Sequence, residues 1–322
     1  MKHEALIEKN YGLIINSIEQ IQGGWSALAY KIRSEKGDFF LKAFDKHRHT
    51  AQVWINKIDE YLPIVMTLSK NSRLREKMST PIFTVNGEYK VETDDSVFIV
   101  YPFVEGKTPG NSKLSEYEQE CLVEIIAEVH SYTESDFPQL KDNKESFNVS
   151  ICENLSQVVT QECLSDADLH NVFLQYRVCL QYGTTEMKRL SASLCNANLD
   201  FVLCHTDLHG WNLLQADTLV LLDWEGLKLA PAEADLFAFS EEFFFDYAWK
   251  SFFACYRKAR PNYLVNKDAL MFYRLHRRLE DIHEFANGIL FNGLSENERA
   301  TSMDHLTKEC IALQSYARKS TI

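Results

Sequence analysis

Four polar residues between positions 205 and 223 stand directly after or at the end of apolar, β-prone runs. His205, Asp207 and Asn212 form the pattern H-x-D-x-x-x-x-N after FVLC, and Asp223 closes a second run, VLLDW. Polar groups at the ends of neighbouring strands can converge on a cleft while the strands themselves stay buried. We therefore expect these side chains to meet at one edge of a small hairpin.

Such a set of side chains can support the transfer of a phosphoryl group. Mg²⁺ prefers oxygen ligands and commonly takes one or two protein groups, which makes Asn212 and Asp223 the candidate magnesium ligands. Asp207 is placed to accept a hydrogen bond from a substrate hydroxyl and so to act as the catalytic base. His205 belongs to the same catalytic loop, which we expect it to brace. The alternative is a chance pattern in a polar turn, and Asp223 at a second strand end argues against it.

The part of the chain before this stretch is rich in β-prone runs. We predict strands over residues 17–22, 26–33 and 38–44, a helix over 51–68, and further strands over 81–85, 89–92 and 97–104. Glycine-containing turns separate them, among them a hairpin turn at Asn86-Gly87. Beyond Gly106 helical periodicity dominates, over 116–132, 150–196 and 231–317, with short strands at 199–204, 213–214 and 220–222.

These runs predict an α+β protein with two lobes. Residues 1–104 would form a small β-rich N-terminal lobe, and residues 105–322 a larger, mostly helical C-terminal lobe that carries the polar cluster.

The motifs CHTDLHGWNLL and VLLDWE resemble the catalytic signature of the aminoglycoside phosphotransferase and choline kinase-like family. This resemblance implies a bilobal protein-kinase-like fold and an ATP-dependent phosphotransferase with an alcohol group as acceptor. It also implies Mg²⁺ and ATP, with GTP possible, as cofactors. By the same resemblance, residues 1–104 form the nucleotide-binding lobe, residues 105–322 carry catalysis and substrate binding, and Asp207 is the catalytic base beside metal ligands Asn212 and Asp223.

The resemblance extends to the N-terminal lobe. Lys42 in DFFLKAF stands where the family has its phosphate-binding lysine, and Glu60 is the candidate acidic partner on the following helix, with Asp59 as the weaker choice. QGGWSALAYKI resembles the phosphate-covering hairpin without a full G-x-G-x-x-G, so Ser26 and nearby amides would reach a phosphate. VFIVYPFVEG resembles the lobe connection, whose backbone at Pro102, Phe103 and Val104 would bind the base.

Gly106-Lys107-Thr108 ends like a nucleotide-binding phosphate loop. That motif needs a glycine five residues before its G-K-T, and Tyr101 occupies the position. The segment is therefore not predicted to bind phosphate.

The acceptor is predicted from charge and aromatic content. Glu241, Glu242, Glu280 and Asp281 lie in aromatic-rich helical segments and suit a cationic, hydroxyl-rich ligand, although a solvated helix face is the alternative. YRLHRRLEDIHEFANGIL and the LAPxExDL spacing are similar to the branch of the family that phosphorylates spectinomycin-like aminocyclitols. The resemblance thus implies an aminoglycoside or aminocyclitol antibiotic, and resistance to it. A metabolic kinase for choline, methylthioribose or a sugar is the alternative.

The composition restricts partners and compartment. A formal net charge of −12 disfavours nucleic acid and anionic membranes as partners. The eight cysteines form no CxxC pair, and no apolar run reaches the roughly 18 residues of a membrane helix. We predict a cytoplasmic protein that binds a nucleoside triphosphate and a small-molecule substrate.

Two further function classes stay open at this point. The chain could be a nucleotide-binding pseudokinase, or a structural protein of the kind found in spore coats. Loss of Asp207, Asn212, Asp223 or Lys42 would favour either class, and all four are present. The sequence therefore favours an enzyme.

Overall fold

The computed structural model describes residues 4–21, 27–71, 73–162, 165–240 and 249–319. The chain divides into two compact units. The first comprises Met1–Asn143, Val202–Leu229 and Phe244–Pro261, and the second comprises Lys144–Phe201, Ala230–Phe243 and Asn262–Ile322. This division follows packing instead of chain order, and the functional division between residues 104 and 105 stays a prediction.

An antiparallel sheet forms the N-terminal part of the first unit. Its strands are β1 (Ile15–Ile21), β2 (Leu28–Ser34), β3 (Gly37–Asp45), β4 (Val91–Glu92) and β5 (Ser96–Pro102), in the order β1-β2-β3-β5-β4. The central strand β3 pairs with β2 on one side and β5 on the other. The predicted β-rich N-terminal part is confirmed.

The two faces of the sheet have different roles because side chains alternate along each strand. Helix α1 (Glu4–Tyr11) covers one face, where Ile7 and Tyr11 share a buried core with Leu41 and Ala43 of β3. Lys42, between those two residues, therefore points to the opposite face, and it is also buried. That opposite face is the one available for chemistry.

The helical segment after β3 differs from the single helix predicted over 51–68. It consists of α2 (His49–Ile55) and α3 (Ile58–Leu68), separated by Asn56-Lys57. The inward face of α3 carries Tyr61, Leu62 and Val65, all nearly fully buried.

The strand predicted over 81–85 is absent from the described structure of this region. Residues 81–84 are extended without sheet pairing, and only Ile82 N–H bonds toward β5, at Val100 O (2.8 Å). The predicted turn at Asn86-Gly87 is present, with Gly87 at φ 82° and its N–H bonded to Thr84 O. The turn residues were thus sufficient to form the turn. One backbone hydrogen bond to β5 is too few to make residues 81–84 a strand of the sheet.

The rest of the first unit contains most of a set of short strands, the last of which ends at Ala230 in the second unit. These are β6 (Val202–Cys204), β7 (Leu213–Gln215), β8 (Leu219–Leu221) and β9 (Lys228–Ala230), with helices α4 (Glu116–Val129) and α8 (Trp249–Ala259) packed on each other. Helix α4 begins with a capping box, in which Ser115 Oγ accepts from Glu118 N–H and the Glu118 carboxylate accepts from Ser115 N–H.

The second unit is helical, as predicted. It contains α5 (Ser150–Gln157), α6 (Ala167–Cys195), α7 (Glu233–Leu236), α9 (Lys267–Phe291) and α10 (Glu296–Lys319). The three long helices α6, α9 and α10 pack on one another. Asp166 caps α6 by accepting from Leu169 N–H (3.0 Å) and pairs with Arg299 of α10 (2.7 Å), and Arg278 of α9 pairs with Glu309.

None of the helices in the described ranges combines the length and the apolar character needed to cross a membrane.

Candidate active site

The predicted hairpin exists and brings the polar residues to one end of it. Strands β7 and β8 pair antiparallel with Leu213 opposite Leu221, so Asn212 and Leu222 lie side by side, and Leu222 N–H donates to Asn212 O (2.8 Å). Asn212 immediately precedes β7, and Asp223 is the second residue after β8. The register of this hairpin therefore sets the spacing between Asn212 and Asp223.

Asp207 and Asn212 are in direct contact. Asn212 Nδ2 donates to Asp207 Oδ2 and to Asp207 O, both at 2.9 Å. His209, which the sequence analysis did not single out, places Nε2 3.4 Å from Asp207 Oδ2. Asn212 is buried, while the Asp207 side chain keeps 42% of its surface exposed. The loop thus fixes Asp207 from behind and leaves it open to a substrate.

His205 lies at the base of the same loop. Its Nε2 faces Leu222 O at 2.8 Å, its Nδ1 accepts from Asp207 N–H at 3.3 Å, and its ring meets Trp224 edge to face. A neutral imidazole with the proton on Nε2 satisfies both contacts. The fully buried ring therefore joins the Asp207 loop to the end of β8.

Lys42 lies between two carboxylates that both follow β8. Its ammonium pairs with Asp223 Oδ1 at 2.5 Å and with Glu225 Oε1. Only 10% of the Lys42 side chain and 8% of the Glu225 side chain are exposed, against 37% for Asp223. Asp223 is thus the member of this triad that faces solvent.

The charges of the triad shift one another's proton affinities. Burial alone would lower the pKa of Lys42, but Asp223 and Glu225 outweigh it and hold that pKa above its ordinary value. Burial opposes ionisation of Asp223, yet the neighbouring Lys42 ammonium holds the pKa of that carboxyl below its usual range. Burial raises the pKa of Glu225, with Lys42 opposing the shift. Of the two carboxyls, Asp223 is therefore the one whose ionised form Lys42 favours more strongly.

Glu225 and its turn were not predicted as part of the site. Asp223 has a left-handed backbone (φ 62°), and residues 224–226 then form one 3-10 turn that directs Glu225 toward Lys42. Trp224 Nε1 donates to Leu221 O (3.0 Å), which fixes the turn to β8. The only signal in the sequence was an acidic residue two positions beyond Asp223.

Gly226 lets this turn pack against the loop that carries His205, Thr206 and Asp207. A Cβ at this position would lie 2.6 Å from Thr206 Oγ1 and 2.7 Å from His205 O, and Thr206 Oγ1 donates to Gly226 O (2.9 Å). We expect Gly226→Ala to displace the turn, to lower the free energy of unfolding by about 1–3 kcal/mol, and to reduce phosphoryl transfer by about tenfold or more.

Urea unfolding and steady-state turnover would measure both effects. The matched control is Gly288→Ala in α9, where the nearest contact for a Cβ is Asn292 Nδ2 at 3.7 Å. That variant should keep activity and gain about 0.5–1 kcal/mol of stability, since glycine in a helix is unfavourable. Full activity and unchanged stability in Gly226→Ala would contradict the packing argument.

The sequence-based partner for Lys42 needs correction. Glu60 is exposed near the start of α3, and the ion pairs of Lys42 are with Asp223 and Glu225. The next residue, Tyr61, is the one on the buried face of α3, in a helix that packs on the Trp224–Gly226 turn. Successive helix residues point about 100° apart, so an error of one position turns a site residue into a surface residue.

The segment predicted to bind the base is the end of β5 and its extension. Pro102 has no N–H, and Phe103 N–H already donates to Asp38 O (3.0 Å). Among the three predicted residues, Val104 therefore has the N–H that can serve a ligand. Phe103 also receives the Lys31 ammonium over its ring at 3.9 Å, and Lys31 pairs with Glu105 (2.8 Å).

The rejected G-K-T segment has a structural role. Lys107 exchanges two backbone hydrogen bonds with Gln215 of β7 (3.1 and 2.9 Å). Gly110 N–H donates to Gly210 O, and a Cβ on Gly210 would lie 2.0 Å from Gly110 O. This extended segment braces the hairpin and does not form a phosphate loop.

The remaining predicted site residues fall into two groups. Ser26, Glu241 and Glu242 lie outside the described residues. Glu280 and Asp281 lie in α9 of the second unit, where Glu280 pairs with His276 (3.0 Å) and Asp281 with Arg277 (3.1 Å).

Asp281 is the more unusual carboxyl of these two. Burial raises its pKa to about 7, and Glu309, Glu284 and Glu280 add to the shift while Arg277 opposes it. Because the folded state keeps a proton that the unfolded chain releases from about pH 4 upward, stability is lost as the pH rises from about 4 to about 7.

Asp281→Asn should therefore stabilise the protein above pH 7, by on the order of 2 kcal/mol, and change little below pH 4. Urea unfolding at pH 5, 6, 7 and 8 would measure the pH slope. Glu120→Gln, at an exposed position of α4, is the matched control and should leave the slope unchanged. An identical pH dependence in Asp281→Asn and wild type would show that Asp281 is ionised throughout.

The fold of the chain is that of kinase-like phosphotransferases. It is similar to spectinomycin phosphotransferase in complex with ADP and spectinomycin, with a TM-score of 0.71, 21% identity, and coverage of 97% of this chain and 98% of that one. It is also similar to the apoenzyme of a macrolide 2'-phosphotransferase from Brachybacterium faecium (TM-score 0.54, 15% identity, coverage 92% and 94%). Plasmodium vivax ethanolamine kinase is a third similar structure (TM-score 0.59, 13% identity, coverage 92% and 82%). The predicted kinase-like fold is confirmed.

The sequence itself identifies the family. Residues 17–263 match the model of the phosphotransferase enzyme family, which is most of the chain. The chain belongs to this family, and the predicted resemblance and the predicted class of enzyme, a phosphotransferase with an alcohol group as acceptor, are confirmed. A search of the curated proteins finds no match.

Proposed function

We propose that the protein is a small-molecule kinase that transfers the γ-phosphoryl group of ATP or GTP to a substrate hydroxyl. The observation that carries the proposal is the convergence of Lys42, Asp223 and the contacting pair Asp207 and Asn212 within the first unit. A structural protein has no need of a buried ammonium between two carboxylates, since such charges are costly to remove from water.

The donor set fits a magnesium ion. Asn212 donates both of its hydrogen bonds to Asp207 through Nδ2, which leaves its amide oxygen to ligate another group. Asp223 is ionised and the most exposed member of the Lys42 triad. Asn212 and Asp223 would hold Mg²⁺, which when bound neutralises charge on the nucleotide phosphates.

Each of the remaining groups has one task in the transfer. Lys42 neutralises phosphate charge as a point charge from the sheet side. Val104 N–H, with the carbonyl groups of Pro102 and Phe103, binds the base. Asp207 accepts the hydrogen bond of the acceptor hydroxyl, orients its oxygen toward the γ-phosphorus, and takes its proton as the bond to the β-phosphate breaks. His205 holds the Asp207 backbone through its N–H, and Asn212 holds the Asp207 carboxylate.

For the acceptor we propose an aminoglycoside or aminocyclitol, with spectinomycin-like compounds first. The similarity to spectinomycin phosphotransferase supports this choice. So does Asp281, which keeps 18% of its side chain exposed and lies near Glu280 and Glu284, because accessible carboxyls close together suit a cationic ligand. Glu241, Glu242 and Glu280 stay predicted contacts of the same ligand.

A metabolic kinase for an amino alcohol such as choline, for methylthioribose or for a sugar is the second candidate. The similarity to ethanolamine kinase supports it. Resistance to an antibiotic belongs only to the first candidate. A cytoplasmic location is proposed for both. A pseudokinase or a structural protein would keep the fold without turnover.

The test is an ADP-release or GDP-release assay with Mg²⁺ and ATP or GTP against a panel of acceptors. The panel contains spectinomycin, other aminoglycosides, choline, methylthioribose and simple sugars, and Asp207→Ala is the control. Release with one compound in wild type only supports the kinase and identifies the acceptor class. Absence of release despite nucleotide binding would favour a pseudokinase, and absence of nucleotide binding a structural protein.

A further inference from the structure

Lys42 has two carboxylate partners that differ in accessibility. Asp223 exposes 37% of its side chain, whereas Glu225 exposes 8%. The proposed metal ligand is therefore the accessible partner, and the inaccessible partner has contacts only within the protein. A metal bound at Asp223 would share that carboxylate with Lys42, whereas Glu225 would keep its contact with the ammonium.

The backbone around Glu225 is fixed on both sides. Trp224 Nε1 donates to Leu221 O, and Gly226 O accepts from Thr206 Oγ1 at 2.9 Å. Gly226 packs so closely on Thr206 and His205 that no Cβ fits there. The turn can therefore hold a buried carboxylate at one place relative to both β8 and the Asp207 loop.

We propose that Glu225 is the positioning residue of Lys42. It holds the ammonium when Asp223 is occupied by metal, so that lysine and metal are placed by a single turn. The inference rests on the proposed kinase function. It differs from the sequence-based expectation, in which a glutamate on the helix after β3 holds the lysine.

Charge balance supports this division of tasks. A divalent ion on Asp223 repels the Lys42 ammonium, and Asp223 alone cannot neutralise both cations. Glu225 accepts a hydrogen bond from the ammonium on the buried side of the lysine, away from the accessible Asp223. The alternative, Glu225 as a direct metal ligand, would require the ion to enter on the buried side, where 8% of the Glu225 side chain is exposed.

The first experiment is a double-mutant cycle of Lys42→Met and Glu225→Gln, with kcat, nucleotide KM and the Mg²⁺ concentration for half-maximal rate measured for all four proteins. We expect Glu225→Gln to lower kcat about tenfold or more in wild type and less than about threefold in the Lys42→Met background, because residues that act through each other are not additive. Glu225→Gln should change the Mg²⁺ concentration for half-maximal rate little in either lysine background.

Equal losses in both backgrounds would overturn the inference, as would a tenfold rise of the Mg²⁺ requirement that persists without Lys42. A lower kcat in Glu60→Gln, with an unchanged kcat in Glu225→Gln, would identify Glu60 as the partner of Lys42. Glu76→Gln, at an exposed position, is the matched control.

A second measurement needs neither nucleotide nor turnover. Acylation of Lys42 by an amine-reactive reagent, followed by mass spectrometry, should be slow in wild type and about tenfold faster in Glu225→Gln, given the coupling typical of contacting charges. Glu225→Asp should keep part of the protection that wild type shows. The control Glu76→Gln should be labelled as slowly as wild type. Labelling of Glu225→Gln at the wild-type rate would refute the role of Glu225. The expected faster labelling in Glu225→Gln, together with no phosphoryl transfer by wild type, would refute the proposed function instead.

Discussion

Asp207→Ala is expected to lower kcat by about 10²–10⁴-fold, the range for loss of a general base, while nucleotide binding changes by less than about twofold. The reason is positional. Asp207 receives Asn212 Nδ2 on one oxygen at 2.9 Å and exposes 42% of its side chain, so the carboxylate is held by the protein and offered to an acceptor. Its removal takes away the group that orients the hydroxyl and leaves the Lys42 triad intact.

Single-turnover rates and calorimetric nucleotide titration, with saturating Mg²⁺, would separate the chemical step from binding. Asp207→Asn refines the result, because an amide oxygen can still accept from Asn212 but cannot take a proton at neutral pH. Asp217→Asn, on the exposed turn of the same hairpin, is the matched control. Turnover in Asp207→Asn equal to that of wild type would show that the carboxylate is not the base.

The sequence was sufficient to predict the part of the site that depends on strand ends. Apolar runs followed by Asn212 and Asp223 led to a hairpin, and the register of β7 with β8 brings these residues together as expected. Lys42 was identified through the family resemblance of DFFLKAF, and its apolar neighbours indicated a partly buried position. Alternation along β3 explains why it lies on the face opposite Leu41 and Ala43.

The parts that escaped prediction depend on packing and on unusual backbone geometry. Glu225 reaches Lys42 because Asp223 has a left-handed backbone, a conformation that few residues other than glycine adopt and that no pattern around VLLDWE indicates. The phase of α3, which buries Tyr61 and exposes Glu60, follows from its contact with a turn about 160 residues later in the chain. Local periodicity has no access to such distant contacts.

The acceptor is the least predictable feature because the residues proposed to bind it are individual side chains scattered along helical segments. Asp281 was proposed as one acidic residue among several, and only its burial among Glu309, Glu284 and Glu280 distinguishes it from a solvated helix face. Charge composition can predict a cationic ligand. Which arrangement of hydroxyl and amino groups on that ligand is bound depends on the three-dimensional positions of a few polar side chains, and these cannot be inferred from local sequence.

Asp223→Asn is expected to weaken the binding of Mg²⁺ and to leave the catalytic base, Asp207, in place. The substitution removes the ionised, exposed carboxylate of the triad, so the Mg²⁺ concentration for half-maximal rate should rise by about 100-fold or more, beyond the range seen when only a supporting contact of a ligand is lost. Lys42 keeps Glu225 as its partner, and the protein should therefore fold normally. Nucleotide binding in the presence of a chelator should stay close to that of wild type.

Two titrations decide between this role and a purely structural one. Rates are measured against Mg²⁺ for wild type, Asp223→Asn and Asn212→Ala, and nucleotide affinity is measured with and without the metal. If Asn212 and Asp223 are the ligands, both variants lose the gain in affinity that Mg²⁺ gives, and high Mg²⁺ partly restores their rates, whereas it restores nothing in Asp207→Ala. An Asp223→Asn protein whose Mg²⁺ dependence matches wild type would mean that Asp223 only balances the charge of Lys42, and the metal would then have to be held elsewhere in the loop.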